Sequence, residues 1–337
     1  MRGEFELIDL FRERIAVAGA AGSPRLALAS GDDAAVSVPG GATATSVDAI
    51  VDGVHFRRQT FTPEQIGAKA MVAALSDLAA MGAEPGEAYV QLGLAPEMTE
   101  SELTAMADGL ARVASGEGAA VAGGDVVRSP VLFLAVTVVG HADKPTDFVT
   151  RAGAEPGDVM LVTDPLGGAA AGLVLLERPE LAAALPGEIA GDLRHRQLEP
   201  TARISAGQAL ARAGAHAMID ISDGLAGDAA HLADASGARV VIDAAAVPVA
   251  PGISELRAHV DPDRLVYGGG EDYELLAALP RGRLEEAQAS LRERGLDPAV
   301  IGRVEAGEGL VIRDATGREP AVQGFDQVRS PTRGEQS

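Results

Sequence analysis

Apolar positions at helical spacing open the chain: Phe5, Leu7, Ile8, Phe11 and Ile15 predict an amphipathic helix over Glu4–Val17. Short β-like runs follow around Val36–Val38 and Ala42–Val47, behind the polar Gly31-Asp32-Asp33. Pro63 suits the first turn of a helix, and the apolar run after it predicts a helix to about Met81. Tyr89–Leu94 and the unbroken Val131–Gly140 predict strands, with a helix at Glu102–Ala114 between them. Ala142–Thr146 interrupts the pattern and predicts a domain boundary. Beyond it come strands at Val159–Thr163, Ala217–Ile221, Val240–Asp243, Leu275–Leu279 and Val300–Val304. Helices are expected near Ala169–Leu176, Thr201–Ala213, Gly224–Ala235 and Leu284–Arg294. The expectation is an α/β (α+β) chain in two domains, residues 1–143 and 144–328, with a polar tail at 329–337.

Charge narrows the function. The 337 residues carry 28 Lys and Arg against 49 Asp and Glu, a formal net charge of −21. Such a field repels duplex nucleic acid and anionic membranes, so neither is expected as a partner. A polyanionic ligand would need cations to approach. The chain has no cysteine, which excludes disulfides, thiolate nucleophiles, zinc-thiolate sites and Fe–S clusters. Its acidic opening, Met1 to Glu6, is unlike a signal peptide. The longest apolar stretch, Val131 to Val139, falls far short of the ~20 residues a membrane helix needs. A cytoplasmic protein is expected.

The candidate chemistry is a recurring pairing of acidic residues with glycine at predicted strand ends: Gly31-Asp32-Asp33, Asp52-Gly53, Gly123-Gly124-Asp125, Asp223-Gly224 and Gly268-Gly269-Gly270-Glu271-Asp272. Asp48 and Asp220 end apolar runs, and Asp77 sits inside the helical pattern Leu75-Ser76-Asp77-Leu78. One Asp-Gly signals only a turn. A carboxylate within an apolar helix, however, is costly to bury without a cation or donor. Carboxylates are the hard donors that magnesium takes, and magnesium in turn bridges phosphates. Neither lysine, Lys69 or Lys144, falls in a phosphate-loop pattern; Gly167 to Gly172 has the glycine spacing, but Leu173 follows it. Ile219-Asp220-Ile221-Ser222-Asp223-Gly224 delivers two carboxylates and a hydroxyl at the start of a helix, where free N–H groups favour phosphate. The same residues also suit a helix N-cap at Ser222 or Asp223.

These motifs, in this order, resemble thiamine-monophosphate kinases: Gly31-Asp32-Asp33-Ala34-Ala35, Val51-Asp52-Gly53-Val54-His55-Phe56, Leu75 to Ala83, Gly123-Gly124-Asp125, Ile219 to Leu225 and Gly269 to Leu275. Gly3-Glu4-Phe5 and Gly324-Phe325-Asp326 extend the resemblance over residues 3–326. It implies an aminoimidazole-ribonucleotide synthetase-like fold, with an N-terminal mixed-sheet domain, a C-terminal α+β domain and homodimerisation through the N-terminal sheets. It further implies magnesium-dependent transfer of the ATP γ-phosphoryl group to thiamine monophosphate. Asp33, Ser46, Asp48, Asp77, Asp125, Asp220 and Asp223 would hold several magnesium ions, with Asp33, Asp48, Asp77, Asp125 and Asp220 central to catalysis through them. Gly124, Asp125, Arg151 and Ser222 would contact ATP, while His55, Glu271 and Phe325 would line the thiamine phosphate site. Read by themselves, Phe325 is also a candidate core anchor and His55 a locally hydrogen-bonded histidine. Val47, Ala74, Thr163 to Gly168, Gln327 and Val328 depart from the family pattern. Alternatives are another ATP-using enzyme of the same superfamily or a non-catalytic magnesium-nucleotide binder.

Overall fold

The structure, a computed structural model, describes residues 4–30 and 34–314. Asp32, Asp33 and Phe325 therefore lie outside the described residues. The first part runs α1 (Glu4–Val17), β1 (Leu26–Leu28), β2 (Val36–Ser37), β3 (Ala42–Val51), α2 (Pro63–Ala80), β4 (Glu84–Leu94), α3 (Glu100–Gly116), β5 (Ala120–Arg128) and β6 (Phe133–Ala142). Strands β3, β6, β4 and β5 form a sheet in that order, parallel only between β4 and β5. The second part runs β7 (Val159–Val162), α4 (Gly168–Glu177), α5 (Gly187–Leu198), α6 (Ile204–Arg212), β8 (Ala217–Ile221), α7 (Leu225–Ser236), β9 (Arg239–Asp243), α8 (Pro262–Tyr267), β10 (Glu274–Leu279), α9 (Leu284–Arg292), β11 (Ala299–Glu305) and β12 (Gly309–Arg313). Its six strands order as β12-β9-β11-β7-β10-β8. The α/β (α+β) expectation holds.

Helix α2 organises the site. Thr62 caps it in a reciprocal box with Gln65, and Pro63 occupies its first turn. From Ile66 to Ala80 every residue except Asp77 is buried. A helix buried on all sides must lie between layers. On one side it packs against the four-stranded sheet through Leu134, Val136 and Val138; the same core continues to Met218, Leu275 and Ala277 of the six-stranded sheet. Its crossing with α3 is a backbone contact. A Cβ on Gly67 would stand 1.9 Å from the Met106 carbonyl oxygen, and one on Gly109 1.9 Å from that of Glu64. Two glycines thus set the depth of α2, and with it the positions of Lys69 and Asp77.

Alternation along β3 aims its chemistry at this helix. Thr43, Thr45, Val47 and Ala49 are exposed on the outer face, while Ala44, Ser46, Asp48 and Ile50 turn inward. Two expectations fail here. Asp48, expected just past a strand ending at Val47, lies within β3, and Gly123-Gly124-Asp125, expected at a strand end, lies inside β5. Glycine in the middle of a strand serves packing: a Cβ on Gly124 would meet the Val90 carbonyl oxygen at 2.1 Å.

Candidate active site

Three elements bring carboxylates together. The Ser46 hydroxyl of β3 donates to Asp77 Oδ2 on α2. The Ser76 hydroxyl, one residue earlier on that helix, donates to Asp220 Oδ2 on β8 at 2.7 Å. Asp48 accepts the Ala49 N–H at 2.6 Å. Burial pushes Asp48 above the usual carboxylate range; the charges of Asp77 and Glu271 add to this, and the Ala49 N–H and His55 oppose it. Asp220 is pushed up to about 7, first by burial and then by Asp77, against the Ser76 hydroxyl and Arg151. The protein therefore spends stability to hold several like charges in one place, a pattern characteristic of functional sites.

The loop after Asp220 is pinned by a carboxylate, which occupies N–H groups expected to be free for phosphate. Ser222 and Asp223 both donate their backbone N–H groups to Asp228 Oδ2, each at 3.0 Å. This overturns the N-cap expectation: the cap residue of α7 is Gly224, which has no side chain to offer. Burial and the neighbouring Asp220 push Asp228 up to about 8.

The motif Glu271-Asp272-Tyr273-Glu274 sends each side chain to a different task. Glu271 and Tyr273 have positive φ, 73° and 51°, an uncommon conformation for such residues. Glu271 meets buried Lys69, with Nζ 2.9 Å from Oε2, and Gln197, whose Nε2 donates to Oε2 at 2.8 Å. Asp272 accepts the N–H groups of Gly167 and Ala169 at 2.6 and 3.0 Å. The N-terminus of α4 is thus occupied by the protein's own carboxylate, which is why the glycine spacing there is no phosphate loop. Burial pushes Asp272 up to about 7. Tyr273 is buried in the core that also holds α2, and its phenol is raised well above its ordinary value by burial, Glu271, Asp48, Asp220 and Asp77. Glu274 binds the Thr163 hydroxyl at 2.6 Å and pairs with Arg203, anchoring the loop.

The structure brings Ser46, Asp48, Asp77, Asp220 and Glu271 together, with His55 and Arg151 close enough to act on their charges. His55 Nδ1 accepts the Val51 N–H at 3.1 Å, which leaves its proton on Nε2. Ser222 and Asp223 border the same place. Gly124 and Asp125 do not join them: β5 and β3 are opposite edges of the sheet, three strand spacings or ~14 Å apart. Those two line a separate cavity of about 680 Å³ under α1, with Phe11, Arg12, Tyr89 and Val126. Among the described residues no group of three or more His, Asp or Glu is placed to hold a metal ion by itself. Val47, 65% exposed on the outer face, and Ala74, fully buried, lend no side chain to the site. Sequence reasoning missed Lys69, Gln197, Asp228 and Tyr273. Lys69 carried the signal that exposed Asp77, a charge inside an apolar helix.

Residues 31–142 match the N-terminal domain of AIR synthase related proteins, and residues 155–315 match the C-terminal domain. The thiamine-monophosphate kinase of Escherichia coli (strain K12) is 37% identical over 346 residues, 98% of this chain and 99% of that protein. The chain belongs to the thiamine-monophosphate kinase family. The crystal structure of the family member from Stenotrophomonas maltophilia K279a superposes with a TM-score of 0.82 at 34% identity, covering 94% of this chain and 98% of that one. A further member, AaThiL, solved in complex with AMPPCP and TMP, has a TM-score of 0.74 at 32% identity, covering 96% and 98%. The two-domain reading of the fold agrees with both.

Proposed function

We infer that this protein transfers the γ-phosphoryl group of ATP to the phosphate of thiamine monophosphate, giving thiamine diphosphate and ADP. The observation that carries this reading, within the family, is the convergence of Asp48, Asp77 and Asp220, the last two each accepting a serine hydroxyl. The acceptor is already an anionic phosphate at neutral pH, so no strong base is required. The demands are alignment of two mutually repelling phosphates and offset of the developing charge. Carboxylates cannot meet phosphates directly, and this donor set of hydroxyl and carboxylate oxygens fits magnesium. That ion keeps several waters and takes only one or two carboxylates plus phosphate oxygens, so a three-carboxylate cage is not needed. Bound magnesium would supply Lewis-acid neutralisation of the phosphates.

The chain's own residues do the rest. Ser46, Asp48, Asp77, Asp220 and Asp223 would hold the ions, joined by Asp33 from beyond the described residues. The Asp228 carboxylate takes the Ser222 and Asp223 N–H groups and so fixes the turn that carries those two side chains. Arg151, already acting on Asp220, is the local cation for phosphate. His55 Nε2–H and Glu271 face the acceptor, and Phe325 is assigned there by family resemblance alone. Formation of thiamine diphosphate from ATP, thiamine monophosphate and magnesium tests the reading; ADP release independent of thiamine monophosphate would favour another ATP-using enzyme. Binding of magnesium-ATP without ADP release would favour the non-catalytic alternative.

The separation of Gly124 and Asp125 from this cluster supports a homodimer in which β5 of one copy serves the other's site. Each site then needs both copies. Asp77→Asn and Asp125→Asn proteins, each weak alone, should regain activity on mixing, up to about one quarter of wild type for random pairing. Absence of any recovery after subunit exchange would show that each chain works alone.

A further inference from the structure

Lys69 and Gln197 are buried and have no assigned part in the reaction. Lys69 is fully buried, with its aliphatic stem in the core and its Nζ 5.1 Å from the centre of the Phe61 ring. Its Nζ stands 2.9 Å from Glu271 Oε2, yet it is outside hydrogen-bond geometry and has no hydrogen bond among the described residues. Gln197 donates to the same oxygen while its own Oε1, also buried, has no partner. Only four buried side-chain atoms among the described residues lack a hydrogen bond, and two of them belong to this pair. Lys69 has a charge partner in Glu271, but a buried amide oxygen without a partner, as at Gln197 Oε1, is seldom tolerated in a native structure without a use.

The use lies in which oxygen they touch. The Gln197 hydrogen bond and the nearest approach of Lys69 both fall on Oε2, while the Glu271 side chain keeps 23% of its surface. The backbone reinforces this. Glu271 N–H donates to the Ser222 carbonyl oxygen at 2.8 Å, and the residue is held at φ 73°. The carboxylate is thus fixed at one oxygen and open at the other. Lys69 also offsets its charge, so the open oxygen suits a neutral N–H donor better than a cation.

We propose that Lys69 and Gln197 are positioning residues that clamp Glu271 Oε2 and so present Oε1 to the exocyclic amino group of the substrate's pyrimidine ring. The clamp rests on the reading of thiamine monophosphate as acceptor. It makes Glu271 a selector for the aminopyrimidine rather than a counter-ion for the thiazolium.

Steady-state kinetics of Lys69→Met, Gln197→Ala, Glu271→Gln and the Lys69→Met/Glu271→Gln double variant test the clamp, with melting temperatures recorded alongside. Lys69→Met, which keeps the apolar stem, should raise KM for thiamine monophosphate about 10- to 100-fold, with KM for ATP and kcat within about threefold of wild type. Gln197→Ala should show the same signature at about 3- to 10-fold, and it serves alone if Lys69→Met does not fold. In the Glu271→Gln background, Lys69→Met should add less than about twofold, because its partner's charge is already gone. An unchanged KM for thiamine monophosphate in the folded variants, or fully additive effects in the double variant, would overturn the clamp. So would a loss of kcat and melting temperature with KM untouched, the mark of a structural pair. Wild-type protein that forms no thiamine diphosphate would overturn the reaction and the clamp together. A wild type that turns over beside unaffected variants would overturn the clamp alone.

Discussion

Asp77→Asn is expected to lower kcat at least about 100-fold while the protein keeps its fold. Asparagine has the same shape, and its amide oxygen can still accept the Ser46 hydroxyl that Asp77 Oδ2 accepts now. What disappears is one negative charge, in the one gap of an otherwise buried helix face. That charge helps to raise both Asp48 and Asp220, so its removal relieves repulsion in the resting protein. Stability should stay level or rise slightly. Activity should fall, because a phosphate chain approaching this cluster depends on cations that the carboxylates hold in place. Steady-state kinetics and a melting curve of the same preparation check both halves. Near-normal turnover would make Asp77 a structural residue; a large drop in melting temperature would mean the kinetic loss reports unfolding.

Much of this site was legible from residue order because its carboxylates stand where carboxylates are expensive. Asp77 within Leu75-Ser76-Asp77-Leu78 and Asp220 at the end of an apolar run are both buried or nearly so, and both are brought to the cluster. Lys69 gave the same signal and went unread, because lysine was sought only in a phosphate-loop pattern. The weakest reading concerned glycine. Gly123-Gly124 and Pro85-Gly86 look like breaks in a chain read one window at a time, yet both lie inside strands. There, neighbouring strands decide: a Cβ at Gly86 would collide with the His141 ring at 2.4 Å. Local propensity cannot report such contacts, since the partner lies far away in sequence. The roles of Asp228 and Asp272 were hidden for a similar reason. Each serves backbone N–H groups, Asp228 five and six residues away and Asp272 more than a hundred.

Those hidden carboxylates give the metal-free protein an unusual pH dependence. Asp220 and Asp272 are pushed up to about 7 and Asp228 to about 8, in each case first by burial, from an unfolded value near 3.8. Between about pH 4 and 8 the native state therefore binds protons that the unfolded chain has released. Stability must then fall as pH rises through this window and level off above the folded values, the reverse of the usual carboxylate case. One such shift converts directly to about 4 kcal/mol, and relaxation and solvent screening reduce it. A net loss of about 2–4 kcal/mol from pH 5 to pH 8 is expected, or roughly 4–8 °C in melting temperature. Relief of the −21 net charge at lower pH acts in the same direction. Melting curves without divalent cations or nucleotide read the effect, and a flat or rising melting temperature over that range would refute it. Magnesium then separates the groups. It should stabilise the protein more at pH 8 than at pH 5, because protonated carboxylates bind it poorly. Asp272 is engaged with the start of α4 and cannot be discharged in this way, so part of the slope should survive saturating magnesium. Asp272→Asn should then remove its share of that surviving part, with Asp228, engaged by the Ser222 and Asp223 N–H groups, carrying the rest, whereas Asp220→Asn should remove the part that magnesium had already suppressed.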